Sequence, residues 1–346
     1  MIKFKLDRIT LSEKHTPVII AELGINHNGS LDKAIYLAEK AIEAGAEVLK
    51  HQTHIPDEEM SEEAKEIIPL NANRSIYHVI KECALSEKDE FKLMKFIKAK
   101  KKIFISTPFS KEAADRLNRF GVPAFKIGSG ECNNYDFVRY LTKFKKPIIM
   151  STGMNDIKSI YKSVNIILKK KISLALLHCT NIYPTPDKLI RLNCITELKK
   201  AFPSCLVGLS DHSQSIYPCL ASISLGARII EKHFVVNKNK GRGPDFSSSM
   251  DFNELKQLIK GSKSIFNSLG KGKKIISDEK STAKFAFASV VAKYQIEYGE
   301  KITEKNICLK RPGNGDFSVN DLKKILGKSA KRQILKNYQL KKKDLN

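Results

Sequence analysis

The sequence has no tryptophan, and it has no apolar run of the length that crosses a lipid bilayer. Its seven cysteines show neither a CxxC pair nor a regular spacing, which argues against a thiolate metal centre and against a disulfide framework. The opening stretch MIKFKLDRITLSEK alternates charged and apolar residues and has no signal-peptide core. These absences predict a cytoplasmic protein with no membrane partner.

Basic residues greatly outnumber acidic ones: 61 Lys and Arg stand against 37 Asp and Glu, a formal net charge of +24. Such an excess can mark a nucleic-acid binder, a protein that attracts an anionic substrate, or a lysine-rich surface. No nucleic-acid-binding motif is present, and no basic stripe is interleaved with aromatic residues. We therefore attribute the charge mainly to a lysine-rich surface and expect no nucleic-acid partner.

Short apolar runs alternate eight times with segments of helical spacing between residues 17 and 269. Eight strand-then-helix units in about 250 residues are typical of an α/β fold, the (β/α)8 TIM barrel. An open doubly wound sheet is the alternative, although no GxGxxG follows the first strand. A basic break, GKGKK, follows at 270–274. We predict a barrel domain over 1–270, a linker over 271–284 and a small mostly-β domain over 285–346.

The stretch Leu206–Phe234 reads LVGLSDHSQSIYPCLASISLGARIIEKHF. It contains two apolar runs separated by a helix-length segment, and the runs end next to His212 and His233. Two parallel strands joined by a helix would place both imidazoles on one rim, where they can hold a divalent metal such as Mn²⁺, Zn²⁺ or Fe²⁺. The alternative is that each is an ordinary core or rim histidine.

Polar residues end the other predicted strands in the same way. In a barrel the C-terminal ends of the strands form the active face. Lysines, hydroxyls, carboxylates and histidines on one rim suit a polyanionic substrate such as a phosphate ester. The residues collected there are Glu22, Lys50, Gln52, Lys126, Ser129, Glu131, Ser151, His178, Asn181, Tyr183, Ser210, His212 and His233.

Eight stretches in this order resemble the sialic acid synthase family, which includes N-acetylneuraminate synthase: AELGINHNGS, KHQTH, STPFS, FKIGSGECNNY, STGM, LLHCTNIYPTP, VGLSDHS and EKHF. The tail from FAFASVVA to KRPGNGDFS resembles the antifreeze-like (SAF) domain of that family. The resemblance implies a metal-dependent condensation of phosphoenolpyruvate with N-acetylmannosamine, giving N-acetylneuraminate and phosphate by C–O cleavage. Synthesis of legionaminate or pseudaminate from another amino sugar is the alternative.

The resemblance also implies roles for single residues. A divalent metal, Mn²⁺ with Mg²⁺ or Co²⁺ as alternatives, is expected on His212 and His233, where it would activate the sugar aldehyde. Glu131 is expected to act on the attacking water and Glu22 to hold sugar hydroxyls, two roles that could be exchanged. Phosphoenolpyruvate binding is expected at Lys50, Asn71, Lys126, Ser129, Ser151, Asn181 and Ser210, and sugar binding at Gln52, Tyr183, Asp245, Thr282, Phe285 and Arg311.

In the family, an arginine at the place of Arg311 reaches the active site of the other subunit. The resemblance therefore implies a homodimer with exchanged C-terminal modules, in which Arg311 also acts in catalysis. Two hypotheses from other classes stay open. A Schiff-base aldolase would use pyruvate, with Lys50 or Lys126 as its nucleophile. A basic carbohydrate- or nucleic-acid-binding protein would use the barrel only as a scaffold.

Overall fold

The computed structural model describes residues 2–69, 73–239, 241, 243 and 245–346. The chain forms two compact units, residues 1–270 and 271–346. Within the described ranges, no helix is both long enough and apolar enough to pass through a membrane.

The strands of the first unit follow the predicted apolar runs. A short antiparallel hairpin, β1 (Phe4–Leu6) and β2 (Ile9–Leu11), precedes the barrel, as expected. The parallel strands are β3 (Val18–Gly24), β4 (Val48–Thr53), β5 (Ile103–Pro108), β6 (Phe125–Ile127), β7 (Ile148–Ser151), β8 (Leu174–Cys179), β9 (Leu206–Asp211) and β10 (Ile229–His233). They pair in chain order, and β10 pairs back to β3. This closure confirms the predicted TIM barrel and excludes the open doubly wound sheet.

Helices connect successive strands, and short polar side chains fix where several of them begin. Ser30, Ser86, Ser110 and Asp156 each accept a hydrogen bond from the backbone N–H three residues further on. The helices of this unit are α1 (Leu31–Glu43), α2 (Pro56–Glu59), α3 (Ile76–Cys83), α4 (Glu87–Ala99), α5 (Lys111–Arg119), α6 (Tyr135–Leu141), α7 (Ile157–Leu168), α8 (Asp187–Ile190), α9 (Cys194–Ala201), α10 (Tyr217–Ser224) and α11 (Phe252–Ser268).

The interior of the barrel changes character along its strands. In their N-terminal halves the inward-facing residues are apolar and form one buried cluster with Phe4, Leu6 and Leu11 of the hairpin. Side chains in a strand alternate between its two faces, so the residue two positions further on faces the same interior. By this step Ile20 leads to Glu22, Val48 to Lys50, Ile105 to Thr107, Ala124 to Lys126, Ile149 to Ser151, Leu177 to Cys179, Gly208 to Ser210, and Ile229 to Glu231.

The second unit has a small core of its own. It contains α12 (Lys280–Ala286), the antiparallel pair β11 (Ser289–Ala292) and β12 (Ile307–Lys310), and α13 (Leu322–Ile325). The segment predicted as a linker over 271–284 thus includes most of α12. Isolated bridges such as Ile296 with Ile334 join the remaining turns.

Candidate active site

A cavity of about 540 Å³ opens where the polar layer of the barrel ends. Most of the side chains that the sequence predicted for the site line this cavity. They are Lys50, Gln52, Lys126, Ser129, Glu131, Ser151, Asn181, Tyr183, Ser210, His212 and His233.

The remaining predicted residues lie elsewhere. Glu22 is buried and pairs with Lys50. Asp245 lies beside His233, with 3.6 Å between its Oδ2 and His233 Nδ1. Asn71 lies outside the described residues. Thr282, Phe285 and Arg311 belong to the second unit, where all three are exposed.

Several residues of the cavity were missed by sequence reasoning. Glu231, Thr107 and Cys179 lie on the inner face of the barrel strands, each two residues after an apolar residue of the barrel interior. Glu231 was passed over because it stands in a polar run with His233. The other missed side chains, Ile76, Phe109 and Met154, come from segments between strands and carry no such signal.

Two buried lysines and two buried glutamates form a mixed charge cluster at this end of the barrel. Lys50 Nζ forms an ion pair with the Glu22 carboxylate. The Oε1 atom of Glu231 lies 3.8 Å from Lys50 Nζ and 3.7 Å from Lys126 Nζ, so this carboxylate stands between the two ammonium groups. When all four groups are ionised their charges cancel, which permits their burial.

The four groups do not titrate alike. Burial raises the pKa of Glu22 to about 7, against the attraction of Lys50. For Glu231 burial acts in the same direction, but Lys126 and Lys50 outweigh it and lower its pKa. Burial lowers the pKa of Lys126, which Glu231 opposes, whereas for Lys50 the two carboxylates outweigh burial and raise the pKa. Glu231 therefore stays charged, and Glu22 exchanges its proton near neutrality.

Hydroxyl groups complete the cluster. Lys126 Nζ donates to Ser151 Oγ at 2.7 Å, and Ser210 Oγ donates to Glu231 Oε1 at 3.2 Å. The other carboxylate oxygen of Glu231 is buried and has no hydrogen-bond partner among the described residues. Positive charge and small hydroxyl donors thus converge on one end of the cavity, an arrangement suited to phosphate and carboxylate oxygens.

Glu131 comes from the loop that follows β6. Burial raises its pKa to about 7, and the nearby Glu59 carboxylate adds to the shift. A carboxyl group with that pKa can both take up and release a proton at neutral pH. Gln52, on the same cavity, is contacted by His54: His54 Nε2 lies 3.2 Å from Gln52 Oε1, and His54 Nδ1 lies 2.9 Å from Glu59 Oε1.

His212 and His233 lie side by side, with 5.6 Å between their ring centroids. His212 Nδ1 lies 3.0 Å from the Thr180 carbonyl oxygen, which only accepts, so a proton lies on Nδ1 and Nε2 is the nitrogen that could reach a metal. The Tyr183 ring stacks on the His212 ring, with 4.1 Å between their centroids. Burial lowers the pKa of His233, and its Nδ1 has no hydrogen-bond partner within the described ranges.

The two rings fit a divalent metal. Neutral imidazoles with an available nitrogen are ligands for Mn²⁺ and related ions, and a backbone carbonyl on the other nitrogen orients such a ligand. Over the residues that the structure describes, no three or more His, Cys, Asp or Glu side chains are grouped as a metal site. His212 and His233 are thus the two candidate metal ligands.

Comparison with known proteins identifies both units. The NeuB family profile matches residues 37–274, and the SAF domain profile matches residues 287–346. An N,N'-diacetyllegionaminic acid synthase of Campylobacter jejuni is 38% identical over 330 residues, which cover 93% of this chain and 97% of that protein. A pseudaminic acid synthase of the same species is 34% identical over 322 residues, covering 91% and 93%.

A solved structure agrees with these relatives. The N-acetylneuraminic acid synthetase of Leptospira borgpetersenii, determined in complex with citrate, is 28% identical and superposes with a TM-score of 0.74. The match covers 81% of this chain and 94% of that one. The resemblance inferred from the sequence motifs is thereby confirmed: the chain belongs to the NeuB family of sialic acid synthases, which includes legionaminic and pseudaminic acid synthases, and it carries a C-terminal SAF domain.

Proposed function

We propose that this protein condenses phosphoenolpyruvate with an N-acetylated amino sugar, giving a nine-carbon sugar acid and inorganic phosphate. N-acetylmannosamine, which would give N-acetylneuraminate, is the first candidate sugar. The observation that carries the proposal is one cavity lined by two buried lysines, joined by Glu231, and by two histidines.

Phosphoenolpyruvate is a small polyanion whose phosphate and carboxylate lie close together. Lys50 and Lys126 supply the positive charge for it, and Ser151 and Ser210 supply hydroxyl donors at the same end of the cavity. Ser129 and Asn181 line the cavity as well. On this proposal the substrate oxygens take over lysine contacts that Glu231 holds in this structure.

The reaction joins C3 of phosphoenolpyruvate to the aldehyde carbon of the open-chain sugar. The C2–C3 π electrons form the new bond, the aldehyde oxygen takes a proton, and positive charge is left at C2. Water then adds to C2 and gives one proton to Glu131, which balances the proton taken up by the aldehyde oxygen. The second proton of that water leaves with the phosphate as the C2–O bond breaks, and the ketone remains. We propose that Glu22 accepts hydrogen bonds from the sugar hydroxyls. A divalent metal, for which we propose Mn²⁺ held by His212 and His233, would supply Lewis-acid activation of the aldehyde.

The similarity to one relative suggests a second candidate sugar. The N,N'-diacetyllegionaminic acid synthase that is 38% identical to this chain makes a product with two N-acetyl groups. Phosphoenolpyruvate carries none, so both groups come with the sugar. A six-carbon sugar with two acetamido groups is therefore the second candidate.

We also propose that the protein acts as a homodimer and that Arg311 acts in the partner's cavity. Arg311 is exposed at the end of β12. Phe285 and Phe287 of the same unit are 62% and 58% exposed, and such large apolar side chains favour a covering surface. A planar guanidinium suits the carboxylate or the N-acetyl oxygen of a substrate.

The test is phosphate release from phosphoenolpyruvate with each of the two sugars, measured with Mn²⁺ and with EDTA. Metal-dependent release that requires one of the sugars supports the proposal, and the faster sugar identifies the substrate. Synthesis of the sugar acid from pyruvate, without phosphate release, would contradict the proposal and favour the aldolase reaction. If neither donor is turned over, the binding-protein hypothesis is favoured.

A further inference from the structure

Outward-facing side chains join β9 to β10 directly beside the two histidines. Lys232 Nζ donates to Asp211 Oδ2 at 2.6 Å and to the Ser213 carbonyl oxygen at 2.6 Å. The Ser213 hydroxyl donates to Asp211 Oδ2 at 2.8 Å. Lys232, Asp211 and Ser213 are 1%, 2% and 1% exposed. We call these three residues the strand-end clamp.

The clamp occupies a particular place in the barrel. Lys232 and Asp211 are the last residues that pair between β10 and β9. His233 and His212 are the next residue on each strand. Beyond this pair no backbone ladder joins the two strands within the described ranges, and the clamp residues Asp211 and Lys232 directly precede the two histidines in the sequence.

The segment that carries His212 is held from both sides. The His212 ring donates to the Thr180 carbonyl oxygen at 3.0 Å, and the His212 carbonyl oxygen accepts from the Thr185 N–H at 2.9 Å. The clamp also fixes the residues on either side of His212. Lys232 donates to the carboxylate of Asp211, which precedes His212, and to the carbonyl oxygen of Ser213, which follows it.

The preceding outward positions within the two strands carry no charge. The preceding outward residues of the two strands, Val207, Leu209 and Ile230, are apolar and pack in the core between strands and helices. A buried ion pair commonly adds little stability over well-packed apolar residues of similar size. Stability of the fold alone therefore gives little reason for a charged pair at 211 and 232.

We infer that the strand-end clamp is a positioning device that sets the separation and orientation of His212 and His233 for metal binding. This inference rests on the proposed metal role of the two histidines. Residues that orient metal ligands without touching the metal commonly change metal affinity by about 10- to 100-fold when replaced.

The experiment separates positioning from stability with an apolar replacement of the pair. Mn²⁺ affinity is measured on metal-free protein from the electron paramagnetic resonance signal of free Mn²⁺, and thermal unfolding is followed in EDTA. The variants are Lys232→Met, the double variant Asp211→Leu/Lys232→Met, and Ile167→Ala. Ile167 is buried on α7, outside both strands, and serves as a control for destabilisation alone.

Lys232→Met should unfold at lower temperature, because it leaves the Asp211 carboxylate buried without its partner. The double variant should recover thermal stability yet bind Mn²⁺ about 10- to 100-fold more weakly than the wild type. Ile167→Ala should lose stability and keep wild-type affinity. Wild-type Mn²⁺ affinity in a stable double variant overturns the inference.

If the double variant does not fold, Ser213→Ala is used to test the inference. This substitution removes the hydroxyl contact to Asp211 and leaves the Lys232–Asp211 ion pair in place. Weaker Mn²⁺ binding at wild-type stability supports positioning, and unchanged binding overturns it. His212→Ala and His233→Ala test the underlying proposal in the same assay. If the wild type binds no Mn²⁺, or both histidine variants bind it normally, the metal proposal fails and this inference fails with it.

Discussion

Replacing Glu131 by glutamine should make the protein more stable at alkaline pH and nearly inactive. Burial raises the pKa of Glu131 from 4.5 to about 7, so the folded state holds the proton more tightly than the unfolded state does. The resulting stabilisation is complete below pH 4.5 and is lost as the pH rises through about 7. A shift of this size corresponds to about 3 kcal/mol of unfolding free energy.

The assay is urea unfolding of the full chain at pH 5 and pH 8, followed by far-ultraviolet circular dichroism. Between these values the wild type should lose roughly 2.5 kcal/mol more unfolding free energy than Glu131→Gln, since glutamine has no proton to give up. Glu112→Gln, on the exposed surface of α5, is the matched control and should behave like the wild type. An unchanged pH dependence in Glu131→Gln would refute the reasoning, because it would mean that this carboxyl group titrates normally.

Three further predictions concern the metal, the charge cluster and the dimer. His212→Ala or His233→Ala should lower synthesis about a thousandfold with little change in circular dichroism, because several kcal/mol of Lewis-acid stabilisation would be lost. Near-normal turnover by either variant after EDTA treatment would exclude the metal role. Glu231→Gln should destabilise the ligand-free protein by roughly 3 kcal/mol, since it leaves Lys126 uncompensated. Phosphoenolpyruvate should then raise the melting temperature more than in the wild type, and an equal rise would contradict that account. Co-expression of Arg311→Ala with His212→Ala should restore activity at roughly a quarter of all sites through mixed dimers, and no recovery despite mixed dimers would place Arg311 outside the partner's cavity.

The sequence predicted the barrel because its eight apolar runs and eight helical segments occur in strict alternation. It also predicted most of the cavity, since polar residues at the ends of parallel strands must meet at one rim. Glu231 was missed because a polar run such as Glu231-Lys232-His233 does not reveal which residues face inward. That question is settled by the pairing register, which puts Glu231 opposite Ser210.

Other parts of the site depend on tertiary structure that no local pattern encodes. Phe109 and Met154 reach the cavity from segments between strands, and their apolar character gave no reason to single them out. Glu22 was expected to hold sugar hydroxyls, and its place beside Lys50 follows from the parallel register of β3 and β4, in which the two residues are partners. Its role in binding sugar stays a prediction.

The two-residue step from the apolar layer of the barrel to its reactive layer limits how such an enzyme can change during evolution. One residue inserted between Ala124 and Lys126 would turn the ammonium group outward into the apolar layer between strands and helices. Side chains such as Ile76, Phe109 and Met154 lie on segments whose length is not fixed by that step. On the proposed function, descendants of one ancestral barrel could acquire new sugars by changes of length and sequence in these segments, while the strand residues proposed for the condensation are inherited at constant spacing.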